Sequence, residues 1–202
     1  MRREVVVATR NKKKYKEIKR LFRGCGISVS SLERFPDVPE VIEDGMTFAE
    51  NAAKKALAVS KYTDKLVIAD DSGLEVDSLG GLPGVNSARY AGHKKDDRLN
   101  IVKLLRELDG RPPSKRKARF RCAAALARQA KLIKVIEARC EGRIGFDAEG
   151  SSGFGYDPVF IPKGYSKSLA LLGPGVKDTL SHRSKAFSKA KRFIEGYFSK
   201  GL

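Results

Sequence analysis

The chain has 202 residues, room for one compact domain or two lobes sharing a core, and too few for two full independent domains. Hydrophobic residues make up 41%, yet no apolar run approaches the ~18 residues of a membrane helix, and the Met-Arg-Arg-Glu start has no signal-peptide pattern. A cytoplasmic protein with no membrane partner is therefore expected. Its 41 basic residues against 24 acidic give a net charge of +17, which draws any polyanion without choosing among nucleic acid, anionic surface and nucleotide.

In chain order, Glu4 to Thr9 is a short apolar run suited to a buried strand, and it ends in the polar turn Thr9-Arg10-Asn11-Lys12. Tyr15, Ile18, Leu21, Phe22 and Cys25 then recur at helical steps, with Gly24 and Gly26 as stops. Ile27 to Ser30 reads as a second strand. Thr47-Phe48-Ala49-Glu50 fits a capping box for a helix reaching about Tyr62. Leu66 to Ala69 is a buried strand delivering Asp70-Asp71-Ser72-Gly73 at its carboxyl end. A glycine-rich turn follows over Leu79 to Gly84. Leu99, Val102, Leu105 and Leu108 mark a third helix before Gly110 and Pro112-Pro113. Alternation through Ala118, Phe120, Cys122 and Ala124, with a return arm from Lys131 to Cys140, predicts a long hairpin. Phe154 to Ile161 reads as a later strand and Ser181 to Phe198 as the last helix. Cys25, Cys122 and Cys140 match no zinc or disulfide spacing and are expected to be buried thiols. The pattern predicts an α/β fold with a mixed central sheet and flanking helices, with ligands at strand ends.

Several segments carry candidate chemistry. Thr9-Arg10-Asn11-Lys12-Lys13-Lys14 runs from a strand end into a helix start, where backbone N–H groups and the helix dipole favour a phosphate; an Asn cap followed by surface lysines explains the same residues. Asp70-Asp71 sets two carboxylates at the end of an apolar strand, which opposes burial, so one can hold Mg²⁺ or a water; a pair of turn-capping aspartates is the plainer explanation. The acidic loop from Glu40 to Asp44 supplies a second oxygen ligand, for which Glu43 is the choice. Phe154-Gly155-Tyr156-Asp157 joins an aromatic, a glycine and a carboxylate, the parts needed to stack on a purine and accept its ring N–H, while Lys177 and Ser181-His182-Arg183 offer donors to base carbonyls. A strand with one core aromatic explains the first of these too, and for Ser181-His182-Arg183 alone a Ser-capped helix with surface basic residues is the better explanation.

Taken in order, these segments resemble the inosine triphosphate pyrophosphatase family, the non-standard purine nucleoside triphosphate pyrophosphatases. The resemblance spans nearly the whole chain. It rests on Thr9-Arg10-Asn11 with Lys14 and Glu17, Glu43-Asp44-Gly45 with Glu50-Asn51-Ala52, Ala69-Asp70-Asp71-Ser72-Gly73, Ser87-Ala88-Arg89-Tyr90, Phe154-Gly155-Tyr156-Asp157-Pro158 and Ser181-His182-Arg183. It implies one two-lobed domain over residues 1–202, a homodimer, with a nucleotide between the lobes and Mg²⁺ on its triphosphate. It further implies hydrolysis of ITP, dITP and XTP to the monophosphate and pyrophosphate. Thr9, Asn11 and Lys14 would hold phosphates, Asp71 would be base or metal ligand, and Ser72 would touch the substrate. Phe154, Gly155, Tyr156, Asp157, Lys177, His182 and Arg183 would line the base pocket, with Arg183 or the helix start donating to the 6-keto oxygen. Arg10 stands where the family commonly has Gly, and Leu169 and Leu171 replace its frequent Phe and Glu. Two other classes compete: a nucleic-acid-binding module, suggested by charge but lacking any recognition motif, so that no stable nucleic-acid partner is expected, and a non-catalytic nucleotide sensor.

Overall fold

A computed structural model of the chain describes residues 3–199. Its elements are β1 (Glu4–Val7), α1 (Lys12–Leu21), β2 (Ser28–Ser31), α2 (Phe48–Val59), β3 (Leu66–Val76), α3 (Asp97–Glu107), β4 (Lys117–Arg128), β5 (Lys131–Ile144), β6 (Phe160–Pro162), α4 (Leu169–Leu180) and α5 (His182–Ser199). The strands form one sheet in the order β2-β1-β3-β4-β5-β6. β1 pairs in parallel with β2 and β3, whereas β5 and β6 are antiparallel, so the expected mixed sheet is the one observed.

The described residues fall into two compact units, each assembled from separate stretches of chain. The first takes its residues from Met1–Asp71, Cys122–Ala138 and Arg183–Leu202, the second from Ser72–Arg121 and Arg139–His182. In the first, alternate strand residues Val5, Val7, Leu66, Ile68, Cys122, Ala124 and Leu126 meet Ile18 and Phe22 of α1 and Ala186, Phe187, Ala190 and Ile194 of α5. Val6, Val67, Ala123 and Ala125 between them are buried as well, so these strands are covered on both faces, as their continuous apolar runs require. The second unit has its own core, in which Ile101, Leu104 and Leu108 pack with Leu74, Val76, Phe120, Tyr156 and Phe160. Cys122 and Cys140 are buried free thiols, and Cys25 is only partly buried.

The long hairpin forms with a two-residue turn, Gln129 and Ala130, both at positive φ of 50° and 58°, as the twist of paired strands demands. Three expectations need correction. β3 does not end at Ala69 but runs on to Val76, so Asp70 and Asp71 lie inside a strand. Its parallel pairing with β1 stops at Ile68, however, which puts both carboxylates beyond the carboxyl edge of the parallel part of the sheet. Phe154 to Val159 is a turning loop and only Phe160–Pro162 is strand, because Gly153 and Gly155 adopt left-handed φ of 86° and 61°. Finally, α4 is an additional helix, capped by the Ser168 hydroxyl on the Leu171 N–H and broken at Gly173, where φ is 77° and ψ 176°. The Gly173-Pro174-Gly175 run conceals it in the sequence.

Candidate functional site

In the first unit the chemistry gathers where β3 outruns β1. Asp70 and Asp71 are both buried, 1% and 6% exposed, and as neighbours on a strand they point to opposite faces. Asp70 faces cations: Lys14 Nζ lies 3.3 Å away, and the Arg183 guanidinium donates twice to Asp70 Oδ2 at 3.1 Å. Burial alone would push the Asp70 carboxyl up, but Lys14, Arg183 and Lys55 outweigh it and hold it well below the usual carboxylate range. Arg183 completes its set by donating to Glu17 Oε2 at 2.8 Å.

Asp71 faces α2 and the acidic loop. The Asn51 amide donates to Asp71 Oδ2 at 3.2 Å and accepts the Gly45 N–H at 2.7 Å, stapling the loop beside the aspartate. A β-carbon on Gly45 would stand 2.7 Å from Asn51 Oδ1, so the close approach requires glycine there. Lys55 Nζ then bridges the two acids, 2.7 Å from Glu43 and 3.5 Å from Asp71. Burial raises the Asp71 carboxyl, Lys55 and Lys14 oppose that, and the charges of Glu43 and Asp70 reinforce it, leaving Asp71 raised. Glu43 goes the other way, since Lys55 overcomes its burial.

At the helix start the Asn cap is formed. Asn11 Oδ1 accepts from the N–H groups of Lys13 and Lys14, at 2.9 and 3.0 Å, and Thr9 Oγ1 accepts from Asn11 N–H at 3.2 Å. The cap thus uses backbone donors that were assigned to a phosphate, leaving side chains for that task. Lys12 and Lys13 are exposed. The Arg10 guanidinium donates to the Val38 carbonyl at 2.5 Å, and with Thr9, Lys12 and Tyr15 it lines a small pocket of about 160 Å³.

In the second unit the Phe154–Asp157 loop is tied down at each polar group. Asp157 Oδ2 accepts from Phe154 N–H at 2.9 Å and from Lys177 Nζ at 2.6 Å, while the same ammonium stands 4.5 Å from the Phe154 ring centroid. Tyr156 Oη donates to the Ser87 carbonyl at 2.9 Å, and the Gly155 N–H donates to Asp97 Oδ2 at 2.8 Å. His182 is buried and stacks on Phe120 at 4.6 Å between centroids, tilted by 15°. Ser72 is partly buried on β3.

The first unit therefore brings together Lys14, Asp70, Asp71 and Glu43, and the second brings together Phe154, Gly155, Tyr156, Asp157 and Lys177. Arg183, expected to read the base, donates to Asp70 and Glu17 within the first unit. Sequence reasoning missed Lys55 altogether and gave Asn51 no role. Their signal was spacing: the two lie four apart on α2, beside the buried Ala52 and Ala56, so they are polar groups on an apolar face.

Among the described residues no cluster of three or more His, Cys, Asp or Glu is placed to hold a metal. Two carboxylates converging on one cationic group do fit Mg²⁺, which commonly takes one or two protein carboxylates and completes its shell with phosphate oxygens and water. An acidic pair beside a lysine-bearing helix start, on an α/β sheet, suits a hydrolase that handles polyphosphates. The model of the Ham1 family matches residues 5–193, and the chain belongs to that family. The dITP/XTP pyrophosphatase of Shouchella clausii is 53% identical over 197 residues, spanning 98% of this chain and 99% of that protein. That of Geobacillus kaustophilus is 53% identical over 187 residues, 93% and 92% of the two chains. Among solved structures, the Ham1 protein of Staphylococcus aureus superposes with a TM-score of 0.85 at 39% identity, covering 96% of this chain and 99% of that one.

Proposed function

We propose that this chain hydrolyses inosine, deoxyinosine and xanthosine triphosphates to the nucleoside monophosphate and pyrophosphate, removing deaminated purines from the nucleotide pool of the cytoplasm, and that it works as a homodimer. The observation that carries the reading is the pair Asp71 and Glu43 drawn around Lys55, with Lys14 close enough for its charge to act on both carboxylates. Relatives called dITP/XTP pyrophosphatases, alike over nearly their full length, support it.

Asp71 and Glu43 would hold Mg²⁺, which supplies positive charge against the triphosphate oxygens. Lys14, with Lys12, Lys13, Arg10 and the side chains of Thr9 and Asn11, neutralises and orients the phosphates. A water attacks the α-phosphorus; its oxygen bonds to phosphorus as the bond to the bridging oxygen breaks, and pyrophosphate leaves with that electron pair. Asp71 takes the water's proton. Asp70 and Arg183 act behind this, holding Lys14 in place.

Phe154 stacks on the purine, Asp157 accepts a ring N–H, and Gly155, Tyr156, His182 and Ser72 shape the surroundings. The 6-keto oxygen accepts from Arg183 and from Lys177, whose ammonium also holds Asp157. Adenine would present an amino donor to that ammonium, leaving both unsatisfied. Separating the products of dITP by ion-exchange chromatography tests the reaction: dIMP and pyrophosphate in equal amounts are expected, and dIDP with orthophosphate would sink the proposal.

A further inference from the structure

The base-reading loop is held by groups from several elements, and one contact has no part in the chemistry so far. Asp97, the first residue of α3, accepts the Gly155 N–H at 2.8 Å. The neighbours of Gly155 are anchored otherwise: Phe154 through Asp157, Tyr156 through Ser87 and Asp157 through Lys177. Gly155 has none of their packing. It sits at left-handed φ, and a β-carbon added there would meet no atom within 4 Å. With no side chain to anchor it, this residue is held through its backbone N–H by a charge-assisted bond.

The acceptor is itself on a rigid support. Asp96 caps α3 through the N–H groups of Arg98 and Leu99. Buried Asn100 accepts the Ala91 N–H at 2.7 Å and donates to the Ala88 carbonyl at 3.1 Å, while Leu104 and Leu108 are fully buried. Asp97 is only partly buried, so the core does not depend on it. We infer that Asp97 is a positioning residue for base selection: from the start of α3 its carboxylate fixes the Gly155 amide and with it the form in which Phe154 and Asp157 meet the purine. This rests on the proposed reading of that loop as the base-binding element.

A carboxylate in the first turn also favours the helix dipole, and two substitutions separate the roles. Asp97→Asn removes the charge but keeps an acceptor, whereas Asp97→Ala removes both. Steady-state pyrophosphate release with dITP and dATP, together with hydrogen–deuterium exchange of residues 153–157, reads the difference. For Asp97→Ala the KM for dITP is expected to rise about tenfold, dITP-over-dATP discrimination to fall, and amide exchange in the loop to quicken. Asp97→Asn is expected to stay within about threefold of wild type in KM. Equal KM values in the two variants, or wild-type KM and exchange in Asp97→Ala, would overturn the inference. Wild-type protein that does not prefer dITP to dATP would instead remove the reading of the loop, and the inference with it.

Discussion

Asp71 was legible in the sequence because a carboxylate closing an apolar strand has to be compensated, and the structure shows by what: Asn51, Lys55 and an opposing Glu43. Lys55 was not legible, since a lysine in an alanine-rich helix ordinarily faces solvent and only its spacing from Asn51 hints otherwise. Asp71→Asn keeps the shape of the side chain and removes its charge, so kcat should fall at least a hundredfold while thermal melting stays near wild type. Near-normal turnover in that variant would dismiss Asp71 as base and ligand. Asp70 predicts a different phenotype. Its carboxylate is bound by Arg183 and Lys14, so Asp70→Asn strips both cations of their shared counter-charge, leaving Arg183 with Glu17, and should cost about 3 kcal/mol at pH 7. Because the folded carboxyl is held below its unfolded value, this stability is present above about pH 4 and is lost as pH falls below it. Denaturant melts in chelator should therefore show the gap between wild type and variant closing from pH 5 towards pH 2; a constant gap would refute the ion pairing.

At the scale of elements, capping governs what the helix start offers a substrate. Asn11→Ala frees the Lys13 and Lys14 amides but loses the cap, and should cost about 1 kcal/mol in stability. Two glycines of the base loop make a sharper contrast. A β-carbon at Gly153 would fall 2.1 Å from Asp157 Oδ2, whereas at Gly155 it would meet open space. Gly153→Ala should accordingly lower the melting temperature more than Gly155→Ala, which carries only the cost of left-handed φ, about 1 kcal/mol. Equal losses would mean that the Asp157 contact is not what fixes the loop. The helix α3 forms as expected with Leu99 and Val102 of its expected stripe exposed and Ile101 and Leu104 buried instead, whereas α1 was readable because one face of it is buried, and the start of the hairpin because its burial alternates. The Phe154–Val159 loop and α4 were not, because glycines at positive φ bend an apolar stretch that otherwise reads as strand, and Gly173-Pro174 hides helical turns on either side. The same limit hid the carboxylate partners of Arg183, because only the tertiary fold brings it to Glu17, 166 positions away.

Across the whole molecule, each compact unit draws on segments far apart in the chain, so no linker or change of composition marks where one ends and the other begins. Charge is the property readable at this scale. A net +17 favours the arrival of a triphosphate, and kcat/KM for dITP should fall several-fold between about 50 and 500 mM salt, with kcat changing less. Salt independence would assign the basic surface to something other than substrate capture. Pyrophosphate release measured side by side on the triphosphates of deoxyinosine, xanthosine, deoxyguanosine and deoxyadenosine, with and without chelator, is the most direct test of the central claim. Release from dITP and XTP is predicted to exceed that from dATP by about a hundredfold or more and to vanish in chelator. Comparable release from all four, or undiminished release in chelator, would contradict it.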